Sequence, residues 1–83
     1  MTHIITQTIN STEDVIQFFQ ELNKNGIEID VDASFLSYKN EEKPIFAEQE
    51  AERLDKLMDK CFDVCHKEQK YSIYGLATEI FNQ

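Results

Sequence analysis

The stretch Gly26-Ile27-Glu28-Ile29-Asp30-Val31-Asp32-Ala33-Ser34 reads GIEIDVDAS and decides the fold of this 83-residue chain. Between residues 27 and 32, apolar residues alternate strictly with acids. Successive side chains of a strand point to opposite faces, so this alternation is typical of a half-buried strand with a wetted face. The sequence therefore predicts a strand over 27–32 that exposes Glu28, Asp30 and Asp32.

The residues before this stretch predict another strand and then a helix. Residues 3–9, HIITQTI, are rich in β-branched side chains, which favours a strand. Apolar residues then recur at helical spacing over 12–24, where Ser11 is a candidate N-cap. Gly26 marks the helix end because glycine takes the left-handed conformation cheaply. We expect a β-α-β beginning, with a small sheet built from 3–9 and 27–32.

The segment after the acidic stretch fits two local structures. Short apolar groups at 35–38 and 45–46 flank a polar loop at 39–44, a pattern that predicts a loose hairpin. A short helical turn over 33–38 fits the same residues. Both alternatives stay open at the level of the sequence.

Two further helices complete the predicted fold. Residues 47–68 carry apolar side chains on one broad face, and residues 72–81 repeat the pattern after Ser72, a candidate N-cap. A chain of this length forms one domain. The sequence thus predicts a single α+β domain over 1–83, with a β-α-β start and short sheet, a long helix and a C-terminal helix.

The charge balance limits the partners that we expect. The chain has 16 acids and 8 bases, a formal net charge of −8. Such a chain repels nucleic acid and anionic membranes, so basic protein surfaces are the expected partners. No run reaches the roughly 20 apolar residues of a membrane span, and the first residues lack the pattern of a signal peptide. Together with two cysteines that we expect to be reduced, these features predict a cytoplasmic protein.

A calcium loop is one interpretation of the acidic stretch. An EF-hand takes ligands at its first, third, fifth and twelfth positions, and the residues with that spacing here are Asp30, Asp32, Ser34 and Glu41. The sixth position requires glycine for a sharp turn, and Phe35 stands there. A phenylalanine in a left-handed conformation is costly, so we expect no calcium site.

The motif I-x-I-D-x-D-x-S at 27–34 resembles the nucleophile strand of haloacid-dehalogenase-type phosphatases. The resemblance implies an aspartate nucleophile beside magnesium. That family needs a large doubly wound fold to supply a basic residue and further acids, and this chain is too short to build one. We therefore keep the interpretation of an amphipathic strand.

The cysteines suggest neither zinc nor catalysis. Cys61 and Cys65 lie four residues apart within the apolar face of the long helix, where free cysteine behaves as a small hydrophobic residue. Structural zinc takes four ligands, and His66 and the distant His3 are the histidines of the chain. Successive helical residues point about 100° apart, so His66 does not face Cys65. We expect no metal, no cofactor and no enzymatic activity.

The long helix separates its charges into two lines. Advancing about 100° per residue aligns five acids along the axis. These acids are Glu48, Glu52, Asp55, Asp59 and Asp63. A second line, about a quarter-turn away, holds Arg53, Lys56, Lys60 and Lys67. Opposite charges meet at i,i+4 in Glu52–Lys56 and Asp63–Lys67, whereas neighbouring acids repel each other at a cost of a few tenths of a kcal/mol.

This segregation predicts a working surface on the acidic line. The acids lie off the apolar face, so we expect their charge to affect binding more than folding. The sequence predicts a small protein-binding module that could occupy the nucleic-acid-binding surface of a partner, as inhibitors from mobile elements or phage do. The acids of the 27–32 strand are a second candidate surface. The alternative is a structural or regulatory subunit that acts as a homodimer or in a small complex.

Overall fold

The computed structural model describes residues 4–27, 30–40 and 43–82, and α-helices make up most of these ranges. The helices are α1 (Thr12–Lys24), α2 (Glu48–Glu68) and α3 (Ile73–Phe81). All three confirm the sequence prediction, and no boundary differs from it by more than one residue. Among the described residues, none of the helices has the length and apolar character needed to cross a bilayer.

The ends of α1 show why the local sequence specifies this helix. The Ser11 hydroxyl accepts a hydrogen bond from the Asp14 N–H at 3.3 Å, and the Asp14 carboxylate accepts one from the Asn10 N–H at 2.9 Å. The two bonds satisfy amides that the helix itself leaves without acceptors. At the other end, Gly26 has a φ of 75°, a left-handed conformation that ends the helix.

The core lies where the apolar faces of the helices meet. Helix α1 packs against both α2 and α3, and the loop before α2 closes one side. The largest fully buried side chains include Phe18, Phe19, Phe35 and Phe46. Rings from the helix and the loop join this cluster, since the centroids of Phe18 and Phe35 lie 6.4 Å apart. Aromatic contacts of this kind add to the stability gained from apolar burial.

The predicted small sheet is wrong, and the described chain is mostly helical rather than α+β. Residues 4–10 form neither helix nor strand; we call them the N-terminal strap. Residues 30–33 form a turn. His3, Glu28 and Ile29, which belong to the predicted strands, lie outside the described residues.

The turn at Asp30 explains the absence of the second predicted strand. The carbonyl of Asp30 accepts a hydrogen bond from the Ala33 N–H, and its carboxylate accepts one from the Asp32 N–H, each at 3.0 Å. The Tyr38 hydroxyl also donates to the Asp30 carbonyl and accepts from the Asp30 N–H. Aspartate favours such local turns because its side chain competes for backbone amides. Several backbone groups of this segment therefore have partners without a neighbouring strand.

The ambiguous segment contains a little of both predicted structures. A 3₁₀ turn occupies Phe35–Ser37, which confirms the helical turn as one of the two alternatives. The polar loop after it holds the strand residues of the described chain, β1 (Lys39–Asn40) and β2 (Lys43–Pro44). They pair antiparallel over two residues each. This pairing is too short to form a layer of the fold.

Candidate functional site

The acidic line of α2 lies mostly in solvent. Its exposed members are Glu48, Glu52, Asp59 and Asp63. Asp55 is half-buried, because the loop before α2 packs against this part of the helix. Neighbouring members stand about one helical turn, roughly 5.4 Å, apart along the axis. The helix therefore presents a row of carboxylates, as the sequence predicts.

Asp55 differs from the other acids because it binds the loop. Its carboxylate accepts hydrogen bonds from the Ser34 hydroxyl and the Phe35 N–H, both at 2.8 Å. These bonds attach the 3₁₀ turn to α2, so the charge of Asp55 serves folding. For this residue we therefore expect a contribution to folding as well as to binding.

One acid of the loop, Asp32, contacts helix α3. The Tyr74 hydroxyl donates a hydrogen bond to the Asp32 carboxylate at 3.0 Å, and this bond together with the nearby negative charge raises the pKa of Tyr74. Asp30 and Asp32 are exposed, as predicted, although they stand on a turn rather than on a strand. Glu28, the third acid of the predicted strand face, lies outside the described residues.

The structure brings the two candidate surfaces together. Asp32 of the loop lines the same shallow depression, of about 290 Å³, as Asp55 and Asp59 of α2. Apolar side chains also line it, among them Met58 and Phe62. We define the acidic face as Asp30 and Asp32 of the loop together with the α2 acids Glu52, Asp55, Asp59 and Asp63.

An exposed aromatic residue adjoins the acidic face. The Tyr74 ring meets the Phe62 ring edge-on, with centroids 6.1 Å apart, and Tyr74 is 53% exposed. The face therefore joins negative charge to an accessible aromatic surface. Lysine and especially arginine side chains are attracted both by carboxylates and by aromatic rings.

The second line of α2 consists of three exposed lysines and one arginine that is engaged in hydrogen bonds. Lys56, Lys60 and Lys67 are exposed, and among the described residues none of them forms an ion pair. The predicted pairs Glu52–Lys56 and Asp63–Lys67 are thus not closed to within 4.0 Å. Repulsion along the acidic line is not offset by direct ion pairs with these lysines.

Arg53, the first cation of that line, binds the N-terminal strap. Its guanidinium donates hydrogen bonds to the carbonyls of Ile4 and Thr6 and to the Glu50 carboxylate. On the other side of the strap, the Glu21 carboxylate of α1 accepts from the N–H groups of Ile5 and Thr6.

Side chains thus take the place that a neighbouring strand would occupy, which explains why the described residues 4–9 satisfy a strand pattern without joining a sheet. Burial alone would raise the pKa of Glu21. Its hydrogen bonds to Thr6 and Ile5, with the charge of Arg53, outweigh that effect and lower the pKa.

A second carboxylate joins the two longest helices. Glu68, the last residue of α2, accepts hydrogen bonds from the N–H and the hydroxyl of Thr12 at the start of α1. The bonds to Thr12 lower the pKa of Glu68. Thr12 is 1% exposed, so its polar groups need this partner.

One sequence signal could have identified the strap contact. Arg53 is the single arginine in a chain whose other basic residues outside the histidines are lysines. Arginine presents five donors in a rigid planar fork, which suits it to binding several acceptors at a partly buried position. Glu21 and Glu68 gave no comparable signal, because acids are frequent throughout the sequence.

The cysteines occupy the core, as predicted. Cys61 and Cys65 are buried free thiols, and burial raises the pKa of Cys61 to about 12. Such a thiol stays protonated at neutral pH and is a poor nucleophile. No group of three or more His, Cys, Asp and Glu residues in the described ranges is arranged to hold a metal ion. Glu41, the last ligand of the calcium interpretation, lies outside those ranges.

Comparison of the chain with protein-family models, with curated proteins and with solved structures found no match in any of the three.

Proposed function

We propose that this chain is a non-enzymatic protein-binding module whose acidic face occupies a basic surface on a partner protein. The observation that carries the proposal is the common depression lined by Asp32, Asp55 and Asp59, since these acids come from two separate parts of the sequence. A net charge of −8 strengthens the attraction toward a basic partner.

The aromatic pair beside the depression supports a protein partner. Tyrosine is enriched among the residues that dominate binding energy at interfaces, and arginine is its frequent counterpart. Tyr74 is held by the hydrogen bond to Asp32 and by the contact with Phe62, so little of its freedom remains to be lost on binding. We propose that Tyr74 is the centre of the interface and that Asp59 and Asp63 form its charged rim.

The regular row of carboxylates favours one kind of basic surface. Acids that follow each other at about one turn, roughly 5.4 Å, form a line of negative charge comparable to a phosphate backbone. A protein that binds nucleic acid carries lysine and arginine side chains arranged for such a line. We propose that the module inhibits a nucleic-acid-binding protein by occupying that site, without binding nucleic acid or membrane itself.

The proposal contains no catalytic step and no cofactor. The raised pKa of Cys61 argues against a thiolate nucleophile, and its burial argues against substrate access. The carboxylate of Asp55 is engaged by Ser34 and Phe35. Free buried thiols suit a reducing compartment, and we propose that the protein acts in the cytoplasm.

A second candidate function is a structural or regulatory subunit that works as a homodimer. Exposed apolar side chains that do not line the acidic depression favour it, notably Ile5 at 75% and Tyr71 at 55% exposure. Self-association would cover such groups. The segregated acidic and basic lines of α2 also allow copies to attract each other despite their equal net charge.

Capture of a partner tests the two candidates. The immobilised protein is incubated with lysate, and bound material is released by rising salt or by added DNA or RNA. A basic protein that nucleic acid displaces, and that the Tyr74→Ala variant fails to retain, supports the inhibitor. Sedimentation that shows a stable dimer, with no protein displaced by nucleic acid, rejects the inhibitor and supports the subunit.

A further inference from the structure

A second depression lies beside the basic line of α2 rather than beside its acidic line. Its volume is about 300 Å³, and it runs between the N-terminal strap and the basic line of the helix. Thr8 and Ile9 of the strap line one side, and Lys56, Leu57 and Lys60 line the other. The depression therefore combines cationic and hydroxyl groups with two apolar side chains, a composition unlike that of the acidic face.

The two lysines of this depression are available for a ligand. Lys56 and Lys60 are one helical turn apart, and both side chains are exposed. Neither forms an ion pair with a described residue. Arg53, the third cation at the site, is instead engaged by strap carbonyls and by Glu50. Two like charges therefore stand side by side, and neither is engaged in an ion pair with a described residue.

The strap residues that border the depression have amide groups that no described acceptor binds. Its N–H groups elsewhere are bound by carboxylates: Glu21 holds those of Ile5 and Thr6, and Asp14 holds that of Asn10. Between these positions, the N–H groups of residues 7–9 have no acceptor among the described residues. These residues line the cationic depression. An oxyanion placed there would continue the pattern by which carboxylates bind the rest of the strap.

We propose that this depression binds the phosphate group of a small phosphate monoester. Such a group carries a charge of about −1.5 to −2 at neutral pH, which matches two ammonium groups outside any ion pair better than a single carboxylate does. The volume suits a small molecule, because ligand sites begin at about 300 Å³. The aliphatic stems of Lys56 and Lys60, with the small exposed parts of Ile9 and Leu57, provide apolar contact for the organic part of the ligand.

The overall negative charge of the protein affects how this site binds. The field of a chain with net charge −8 repels anions at long range, so attraction depends on Lys56 and Lys60 at close range. Salt screens interactions between charges over about 8 Å at physiological ionic strength. Added salt therefore reduces both the distant repulsion of anions and the local attraction to the lysines. The site requires both lysines and is not a property of the whole surface.

Backbone amide NMR spectra recorded during titration of the protein test the proposal. The added ligands are inorganic phosphate and phenyl phosphate, at constant ionic strength. Both ligands are expected to shift the Thr8 and Ile9 amides in a saturable way. Phenyl phosphate should bind at least threefold more tightly because its ring contacts the lysine stems and the exposed edges of Ile9 and Leu57. Absent or unsaturable shifts overturn the site, and equal or weaker binding of phenyl phosphate overturns the assignment to a monoester.

Single substitutions separate the site from general charge effects. Lys56→Gln and Lys60→Gln should each weaken phenyl phosphate binding at least fivefold. The matched control is Lys67→Gln, which removes an exposed lysine from the same line outside the depression and should change the affinity less than twofold. All three side chains are exposed, and the same spectra report folding. Equal losses in all three variants overturn the proposal.

Discussion

Replacing Arg53 with methionine tests whether side chains hold the N-terminal strap. Methionine keeps much of the length and apolar stem of arginine but has no donors. The substitution removes the hydrogen bonds to the carbonyls of Ile4 and Thr6 and the ion pair with Glu50. The strap also carries Ile4 and Ile9, which are 0% and 2% exposed. Release of the strap therefore opens part of the core.

The size of the effect follows from these contacts. Hydrogen bonds to charged groups contribute about 1.5–3 kcal/mol each. Because the Arg53 side chain remains 28% exposed, we expect each of its bonds to contribute an amount near the lower value. We expect Arg53→Met to reduce the free energy of unfolding by about 2–4 kcal/mol. For a domain of this size that corresponds to a decrease in Tm of roughly 10–25 °C.

Thermal denaturation and amide hydrogen exchange measure the effect at two levels. Arg53→Lys, which retains the charge but not the planar fork, should lose about half as much stability as Arg53→Met. Lys67→Met is the matched control because Lys67 is exposed on the same helix. The exchange rates of the Ile5 and Thr6 amides should rise most in the Arg53 variants. A loss below about 0.5 kcal/mol with unchanged exchange would refute the reasoning.

Three further predictions concern single side chains. Asp55→Asn should lower the free energy of unfolding by about 1–2 kcal/mol, because a neutral amide weakens the bonds to Ser34 and Phe35. Asp59→Asn should change it by less than about 0.5 kcal/mol. Chemical denaturation of the two variants and the unmodified protein measures both changes. The lowered pKa of Glu21 means that its contribution is fully present above the ordinary carboxyl pKa of 4.5 and is lost as the pH falls through the lower folded value. Stability of Glu21→Gln, measured by denaturation across acidic pH, should therefore fall less steeply than that of the unmodified protein; equal slopes contradict this. Buried Cys61, with its pKa near 12, should react with a thiol reagent only on unfolding, and rapid labelling in the native protein would show that the thiol is accessible.

The helices could be predicted because their information is local. Apolar spacing sets the buried face, and residues such as Ser11 and Gly26 set the ends. Alternation over 27–32 also located buried and exposed side chains correctly at the described positions, since Ile27 and Val31 are buried and Asp32 is exposed. A pattern of burial does not specify the partner of the backbone, however, and that partner decides between a strand and an irregular segment.

The sequence predicted which acids form the candidate site, but not how the loop and α2 bring them together. A helical wheel places Asp55 off the apolar face, but it holds no information about the loop that packs there. The contact between Asp32 and Tyr74 joins positions 42 residues apart and depends on the docking of α3. The acids of the loop and of α2 therefore became one acidic face only through tertiary packing.

The most direct test of the proposed function compares two variants that lose the same charge. Asp59→Asn combined with Asp63→Asn alters the exposed rim of the acidic face, whereas Glu13→Gln combined with Glu79→Gln removes two exposed acids on α1 and α3. Calorimetric titration of a captured basic partner is predicted to give at least a tenfold loss of affinity, about 1.4 kcal/mol, for the first variant only. Equal affinities for the two folded variants would contradict binding through the acidic face.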